Sequence, residues 1–144
     1  MGVSISLSRP LPVGIAFISQ HFGEHPEWYR QYGYAGHNGT DWPAVKGTPA
    51  TPFDEGVVIF AGWNDQGYGN LVKIEHAWGV SRYAHFDQVI AVVGQRVFTT
   101  TQIGTVGCTG NSTGDHLHGE IEIKGDRNPA YGNRTDLMKF ANWA

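Results

Sequence analysis

Apolar positions in this chain come in short runs punctuated by 20 glycines and 7 prolines, and few stretches repeat with the roughly 3.6-residue period of an amphipathic helix. Two-residue alternation dominates instead. From His116 the sequence reads HLHGEIEIK, setting His116, His118, Glu120 and Glu122 against Leu117, Ile121 and Ile123. Successive side chains of a strand point to opposite faces, so this segment puts two imidazoles on one side and its aliphatic residues toward a core. The same reading predicts strands over Gly14–Ser19, Gly56–Trp63, Asn70–His76, Ser81–His85, Arg96–Thr99 and His116–Lys124. The pair Asn70–His76 and Ser81–His85 reads as a hairpin turning around Ala77, Trp78 and Gly79. A mainly β fold is therefore expected: a compact antiparallel sheet with long loops around a groove and little helix, the one helical stretch being a short one within Thr135–Trp143.

Length and charge narrow the picture. With 144 residues and 40% hydrophobic content, residues 1–144 are expected to form a single domain that buries its own core. A net charge of -3 gives no basic field of the kind that holds nucleic acid or an anionic membrane, and a monomer is expected. Cys108 stands alone, so no intramolecular disulfide can form; its glycine-rich setting suggests a small buried residue. The N-terminus has no basic segment leading into an apolar run, and no stretch approaches the roughly 20 apolar residues needed to span a bilayer. The chain is expected to be a soluble protein, or a mature or excised domain. Met1, Gly2 and Ser6 fit the short myristoylation pattern, which recurs by chance and is set aside.

Chemistry concentrates at four places. His21–Gly36 is a long loop carrying Phe22, Trp28, Tyr29, Tyr32 and Tyr34, a composition that suits the border of a ligand groove. His21 and His25 within it have no spaced partner and read as structural or solvated. GHNGTDWP follows, with His37 and Asp41 four apart; its glycines and proline oppose a helix, so the pair sits on extended or looped backbone. Imidazole and carboxylate both suit Zn²⁺, and His118 or His116 could supply a third ligand, leaving the open position that distinguishes a catalytic from a structural zinc site. Ser81–Asp87, SRYAHFD, places Tyr83 and His85 on one face by alternation, so His85 could join the cluster without being a ligand. His76 reads as structural. Gly104–Thr113 lacks the end of a P-loop, and its glycines let the backbone turn beside the site.

The ordered set GHNGTD, YAH and TGNSTGDHLHGE, together with GTPATPFDEGVVIFAGW and YGNLVKIEH, resembles the lysostaphin/LytM family of zinc metalloendopeptidases, which cleave peptide crosslinks in bacterial peptidoglycan. The likeness runs from about Phe17 to Pro129. It implies one zinc ion held by His37, Asp41 and His118, with His85 and His116 acting on the water and the tetrahedral intermediate. Asp115, Gly119 and Cys108 depart from the family's usual proline, bulky apolar residue and serine, which bears on groove shape and substrate preference. Zinc supplies nucleophile and Lewis acid together, and histidine suits proton transfer near neutral pH. Glu120 shares the polar face and is placed to orient an imidazole, and a tyrosine at 29, 32 or 34 is placed near the intermediate. The alternatives are a catalytically inactive domain of the same fold that binds peptidoglycan or activates an amidase, and a cysteine hydrolase built on Cys108. The expected partner is the peptide of bacterial peptidoglycan, and the setting a cell-wall-lysing hydrolase: a phage endolysin released on lysis, or an excised extracellular domain.

Overall fold

The computed structural model describes Ser4–Trp143; Met1 and Gly2, the start of the acylation pattern, lie outside it. Ten strands are present among the described residues: β1 (Thr40–Pro43), β2 (Pro49–Ala50), β3 (Gly56–Asn64), β4 (Gly69–His76), β5 (Gly79–Phe86), β6 (Gln88–Val89), β7 (Arg96–Val97), β8 (Gly104–Thr105), β9 (His116–Ile123) and β10 (Arg134–Thr135). The main sheet runs β1-β9-β5-β4-β3-β7, with β10 following β1 along the same edge of β9, and every pairing is antiparallel. A small second sheet has the order β2-β8-β6, also antiparallel. Among the described residues no helix is long and apolar enough to cross a membrane.

The alternation read from the sequence sorts the two faces of this sheet. Leu117, Ile121, Tyr83, Val72, Ile74 and Trp42 are buried on one face and pack with Phe53, Ile103, Val106 and Leu137. Burying one such large side chain contributes about 1.5–3 kcal/mol, so this face dominates the stability of the fold. Tyr83 keeps its hydroxyl satisfied inside the core, accepting from the Phe53 amide at 2.8 Å and from Ser81 Oγ at 2.8 Å. The polar face of β9 is left to the site.

The hairpin is as expected: β4 and β5 pair from Val72↔Tyr83 to His76↔Gly79, with Trp78 tucked into the core at the turn. Other expectations are corrected. Gly14–Ser19 is not a strand; Gly14 turns at φ 99°, Val13 and Phe17 are exposed, and only Ser19 and Gln20 reach the Asp41 backbone on the outer edge of β1. Arg96–Thr99 shortens to Arg96–Val97 because the Phe98 amide turns to Thr101 Oγ1. In the tail, Arg134–Thr135 pairs with β9, and the helical turn that follows is 3-10, Leu137–Phe140, capped by Asp136 accepting from the Met138 amide. The aromatic loop holds a short α-helix, α1 (Pro26–Tyr29), and a 3-10 turn, Arg30–Tyr32.

Candidate metal centre

β9 is held between β5 and β1, and this sandwiching brings the sequence candidates together. His118 lies opposite Asp41 in the β1–β9 register, so the two side chains project side by side from adjacent strands. His37 arrives from the turn before β1, where its amide donates to the Glu24 carbonyl at 2.8 Å and its Nδ1–H to the His21 carbonyl at 3.2 Å. That second bond fixes the tautomer and leaves Nε2 facing the site. Gly39 allows the close approach: a Cβ there would stand 2.3 Å from the Gly119 carbonyl oxygen and 2.7 Å from His118 Cε1.

Three potential ligand atoms converge. His37 Nε2 is 3.2 Å from His118 Nδ1 and 3.3 Å from Asp41 Oδ1, and His118 Nδ1 is 2.7 Å from Asp41 Oδ1. Tetrahedral zinc with bonds of roughly 2.0–2.1 Å sets neighbouring ligand atoms roughly 3.3 Å apart, so two edges of this triangle fit and the third needs a small opening. The donor set, two imidazoles and one carboxylate, suits the same ion. These residues could therefore hold zinc and leave the groove side free for a further ligand.

Electrostatics hold the triangle together. Burial works to raise the Asp41 carboxyl, but hydrogen bonds and attraction from His118, then His37, overcome it and keep it well below the usual carboxylate range. Burial works to lower His118, yet Asp41 and Glu120 raise it to about 10. Glu120 is fully buried behind the ring, and its Oε2 lies 2.7 Å from His118 Nε2. A carboxylate behind a metal-binding histidine is the arrangement that fixes ring orientation and basicity.

His85 and His116 flank the triangle, their rings 4.8 Å apart and His85 5.8 Å from His118. Both are anchored alike: His85 Nδ1–H donates to the Thr109 carbonyl and His116 Nδ1–H to the Gly114 carbonyl, each at 2.8 Å. Each Nε2 is thereby left to the site, that of His116 lying 3.7 Å from Asp41 Oδ2. The expected sharing of a face by Tyr83 and His85 does not hold. β5 carries one extra residue against β4 here, His85 adopts φ 65°, and the bulge turns its ring away from the core face that Tyr83 occupies. Burial, then repulsion from His118 and His116, pushes His85 down to about 4.

The groove around these atoms encloses about 770 Å³, with Tyr29, Tyr32 and Tyr34 on one wall and Gln66, Tyr68 and Asn111 on the other. The Asn111 side-chain amide donates to the Tyr32 hydroxyl at 2.8 Å, joining the two walls. Tyr29 packs its ring 5.1 Å from that of His37 and donates its hydroxyl to Gln20. The remaining histidines take no part in the triangle. His25 lines the groove but is exposed, and His76 stacks on Trp78 while bonding the Glu55 carbonyl and Ser81 Oγ, a structural role as expected. Cys108, expected to be buried, is exposed on its glycine-rich loop; its thiol hydrogen-bonds to Ser112 and to no histidine, so the cysteine-hydrolase reading has no base. Gly119 does not shape the groove: a Cβ there would point into the core, 2.7 Å from Phe53 Cζ, so Phe53 fills the missing volume. Sequence reasoning missed Arg134, whose Nε donates to Glu120 Oε1 at 2.8 Å from a strand separated in the chain, a pairing that no local pattern signals.

Comparison with known proteins places this geometry. The profile of Peptidase family M23 matches residues 35–129, a span that contains His37, Asp41, His85, His116 and His118. The chain belongs to peptidase family M23. Among relatives of this M23 chain, the DD-carboxypeptidase/endopeptidase Mpg of Neisseria meningitidis serogroup B is 46% identical over 90 residues, covering 62% of this chain and 20% of Mpg. Among solved structures, the catalytic domain of the antimicrobial peptidase lysostaphin from Staphylococcus simulans superposes with a TM-score of 0.67 at 26% identity, covering 96% of this chain and 89% of that one. A zinc-containing peptidase from Vibrio cholerae gives a TM-score of 0.74 at 29% identity, covering 95% of this chain and 40% of that one. The fold is thus the mostly antiparallel β architecture of the lysostaphin-like M23 catalytic domains. The chain spans about a fifth of the length of the curated relatives it matches.

Proposed function

We propose that this M23 chain is a zinc-dependent endopeptidase that hydrolyses peptide crosslinks or stem peptides of bacterial peptidoglycan. The observation that carries the reading is the triangle of His37 Nε2, Asp41 Oδ1 and His118 Nδ1, with edges of 2.7 to 3.3 Å, at the floor of an open groove. When bound there, one zinc ion would supply a Lewis acid that acidifies water and polarises a carbonyl.

The chain's own residues do the rest. Neutral His85, with Nδ1–H committed to Thr109, offers Nε2 as the acceptor of the water proton. His116, whose Nε2 lies 3.7 Å from Asp41 Oδ2, is placed to donate from that nitrogen to the developing oxyanion or the leaving amine when its ring is an imidazolium carrying hydrogen on both nitrogens. The aromatic and amide side chains of the two walls hold an extended peptide and exclude water from it. Names of relatives agree with a wall substrate: Mpg is a DD-carboxypeptidase/endopeptidase, ShyA of Vibrio cholerae a peptidoglycan DD-endopeptidase, and ALE-1 of Staphylococcus capitis a glycyl-glycine endopeptidase. We read residues 1–144 as a monomeric catalytic domain that meets the wall as a bacteriolytic enzyme, in the manner of a phage endolysin.

Digestion of purified walls tests this. Chelation is expected to abolish lysis and stoichiometric zinc to restore it, with thiol alkylation having little effect; released fragments carry new amino termini and no new reducing sugar ends. Lysis that survives chelation, or reducing ends in place of amino termini, would overturn the reading.

A further inference from the structure

We infer that Arg134, acting through the Glu120 carboxylate and together with Tyr68, is a positioning residue for the zinc site: it sets which nitrogen of His118 is free for metal. The inference rests on the zinc reading above and adds residues from two elements outside the histidine strands.

Glu120 sits on β9 with no exposure, and a buried carboxylate is tolerated only when its oxygens are fully partnered. Its neighbour across the β5–β9 ladder is Arg82, the partner a strand register would suggest. Arg82 turns away: its Nη1 donates to Glu122 Oε1 at 3.1 Å, and its buried Nε has no partner. The charge that meets Glu120 comes instead from β10. Arg134 lies opposite Glu122 in the register, yet its side chain reaches diagonally so that Nε donates to Glu120 Oε1 at 2.8 Å. The same guanidinium is held at both ends, Nη1 donating to the Gly132 carbonyl at 2.6 Å and Nη2 to the Tyr68 hydroxyl oxygen at 3.1 Å.

The second contact gives the network a direction. Because the Tyr68 oxygen accepts from Arg134, its own proton is turned to Glu120 Oε2, 2.7 Å away. Oε2 also accepts from His118 Nε2 at 2.7 Å. Arg134 on one oxygen and Tyr68 on the other leave the carboxylate a single orientation, in which Oε2 captures Nε2–H. The His118 tautomer and ring angle are then fixed, and Nδ1 is the nitrogen presented to the triangle with His37 and Asp41. Without Arg134 the buried carboxylate has lost the donor that holds Oε1 in place and can rotate, and the ring behind which it stands is no longer held.

The test is zinc affinity, measured by chelator competition on folded protein for wild type, Arg134→Met, Glu120→Gln and the double variant. Arg134→Met and Glu120→Gln are each expected to weaken zinc binding about 10- to 100-fold. If Arg134 acts through Glu120, the double variant is no weaker than the weaker single one, and Arg134→Lys, which keeps the charge, recovers part of the loss. A double variant whose loss is the product of the two single losses would mean independent structural effects and overturn the inference, as would wild-type affinity in Arg134→Met. Should Arg134→Met fail to fold, Tyr68→Phe with and without Glu120→Gln decides the point, expected to cost several-fold in zinc affinity alone and nothing further in the Glu120→Gln background; no loss from Tyr68→Phe alone, or an added loss there, overturns the inference. Absence of zinc binding in wild type would strike the metal reading itself, a different outcome from tight wild-type binding that Arg134→Met leaves unchanged.

Discussion

Asp41 and His118 are directly opposed across the β1–β9 ladder, with Oδ1 2.7 Å from Nδ1. Two elements distant in the chain are thus joined at the site by backbone pairing, and the contact does not depend on a mobile loop. Removing His118 or Asp41 should cost the metal, whereas His85 and His116 lie beside the triangle and contribute no edge to it. His118→Ala and Asp41→Ala are expected to lose most bound zinc along with activity. His116→Ala and His85→Ala are expected to keep near-normal zinc and lose activity by about 100-fold or more, the range for a residue handling a proton or an oxyanion. Zinc per protein after dialysis, paired with wall-lysis rate, separates the classes; an emptied site in His116→Ala with a filled one in His118→Ala would reverse the roles.

How much of this was legible beforehand follows from the regularity of each segment. β9 is an undistorted strand, so alternation alone put His116, His118 and Glu120 on one face, and the orienting role expected for Glu120 matches its contact with His118. His85 joins the cluster as expected, but alternation also puts Tyr83 on its face because it assumes an unbroken ladder, and the extra residue in β5 breaks it. The segment from His37 to Asp41 is left as extended or looped because glycine and proline carry little strand propensity; pairing with β9 selects the extended backbone over Thr40–Pro43. Cys108 is expected inside from its residue type, but it is exposed on a loop that turns at Gly110, φ 74°. Arg134 was invisible, since its contact with Glu120 is diagonal and made across a loop.

The backbone at His85 makes its own prediction. A left-handed φ of 65° favours glycine and, after it, asparagine, aspartate and histidine. On stability alone His85→Asn should be nearly neutral, while His85→Val should cost about 1–3 kcal/mol through backbone strain, beyond any effect of the lost ring. Denaturant unfolding of the metal-free variants measures this. Equal stability of the Asn and Val variants would show that the bulge relaxes when the ring is removed.

Gly119 and Phe53 should be energetically coupled. A Cβ at 119 would stand 2.7 Å from Phe53 Cζ and 3.2 Å from Trp42 Cζ3, both in the core, so Gly119→Ala overpacks it and is expected to cost about 1–3 kcal/mol. Phe53→Leu opens a cavity and destabilises the protein alone, but should offset much of the cost of Gly119→Ala when the two are combined. Additive losses in the double-mutant cycle would show that Phe53 is not what excludes a side chain at 119.

The last prediction concerns competition between zinc and protons at His118. In the metal-free protein both ring nitrogens face carboxylate oxygens at 2.7 Å, Nδ1 toward Asp41 and Nε2 toward Glu120, so both carry hydrogen and the ring is an imidazolium. Burial opposes that charge, but the two carboxylates raise the group to about 10. A folded value above the ordinary one near 6.5 stabilises the metal-free fold fully below about pH 6.5, and this contribution is lost as pH rises through about 10. Metal on Nδ1 requires that nitrogen to give up its proton, while Nε2–H stays with Glu120. Asp41, held well below the usual range, is already ionised and releases none. Zinc affinity should therefore rise with pH by about tenfold per unit across neutrality and flatten above about pH 10. Calorimetric titration near pH 7.5 in buffers of different protonation enthalpy should show about one proton released per zinc. A binding heat independent of buffer would mean that His118 enters the site already neutral, and that the paired carboxylates do not hold it charged.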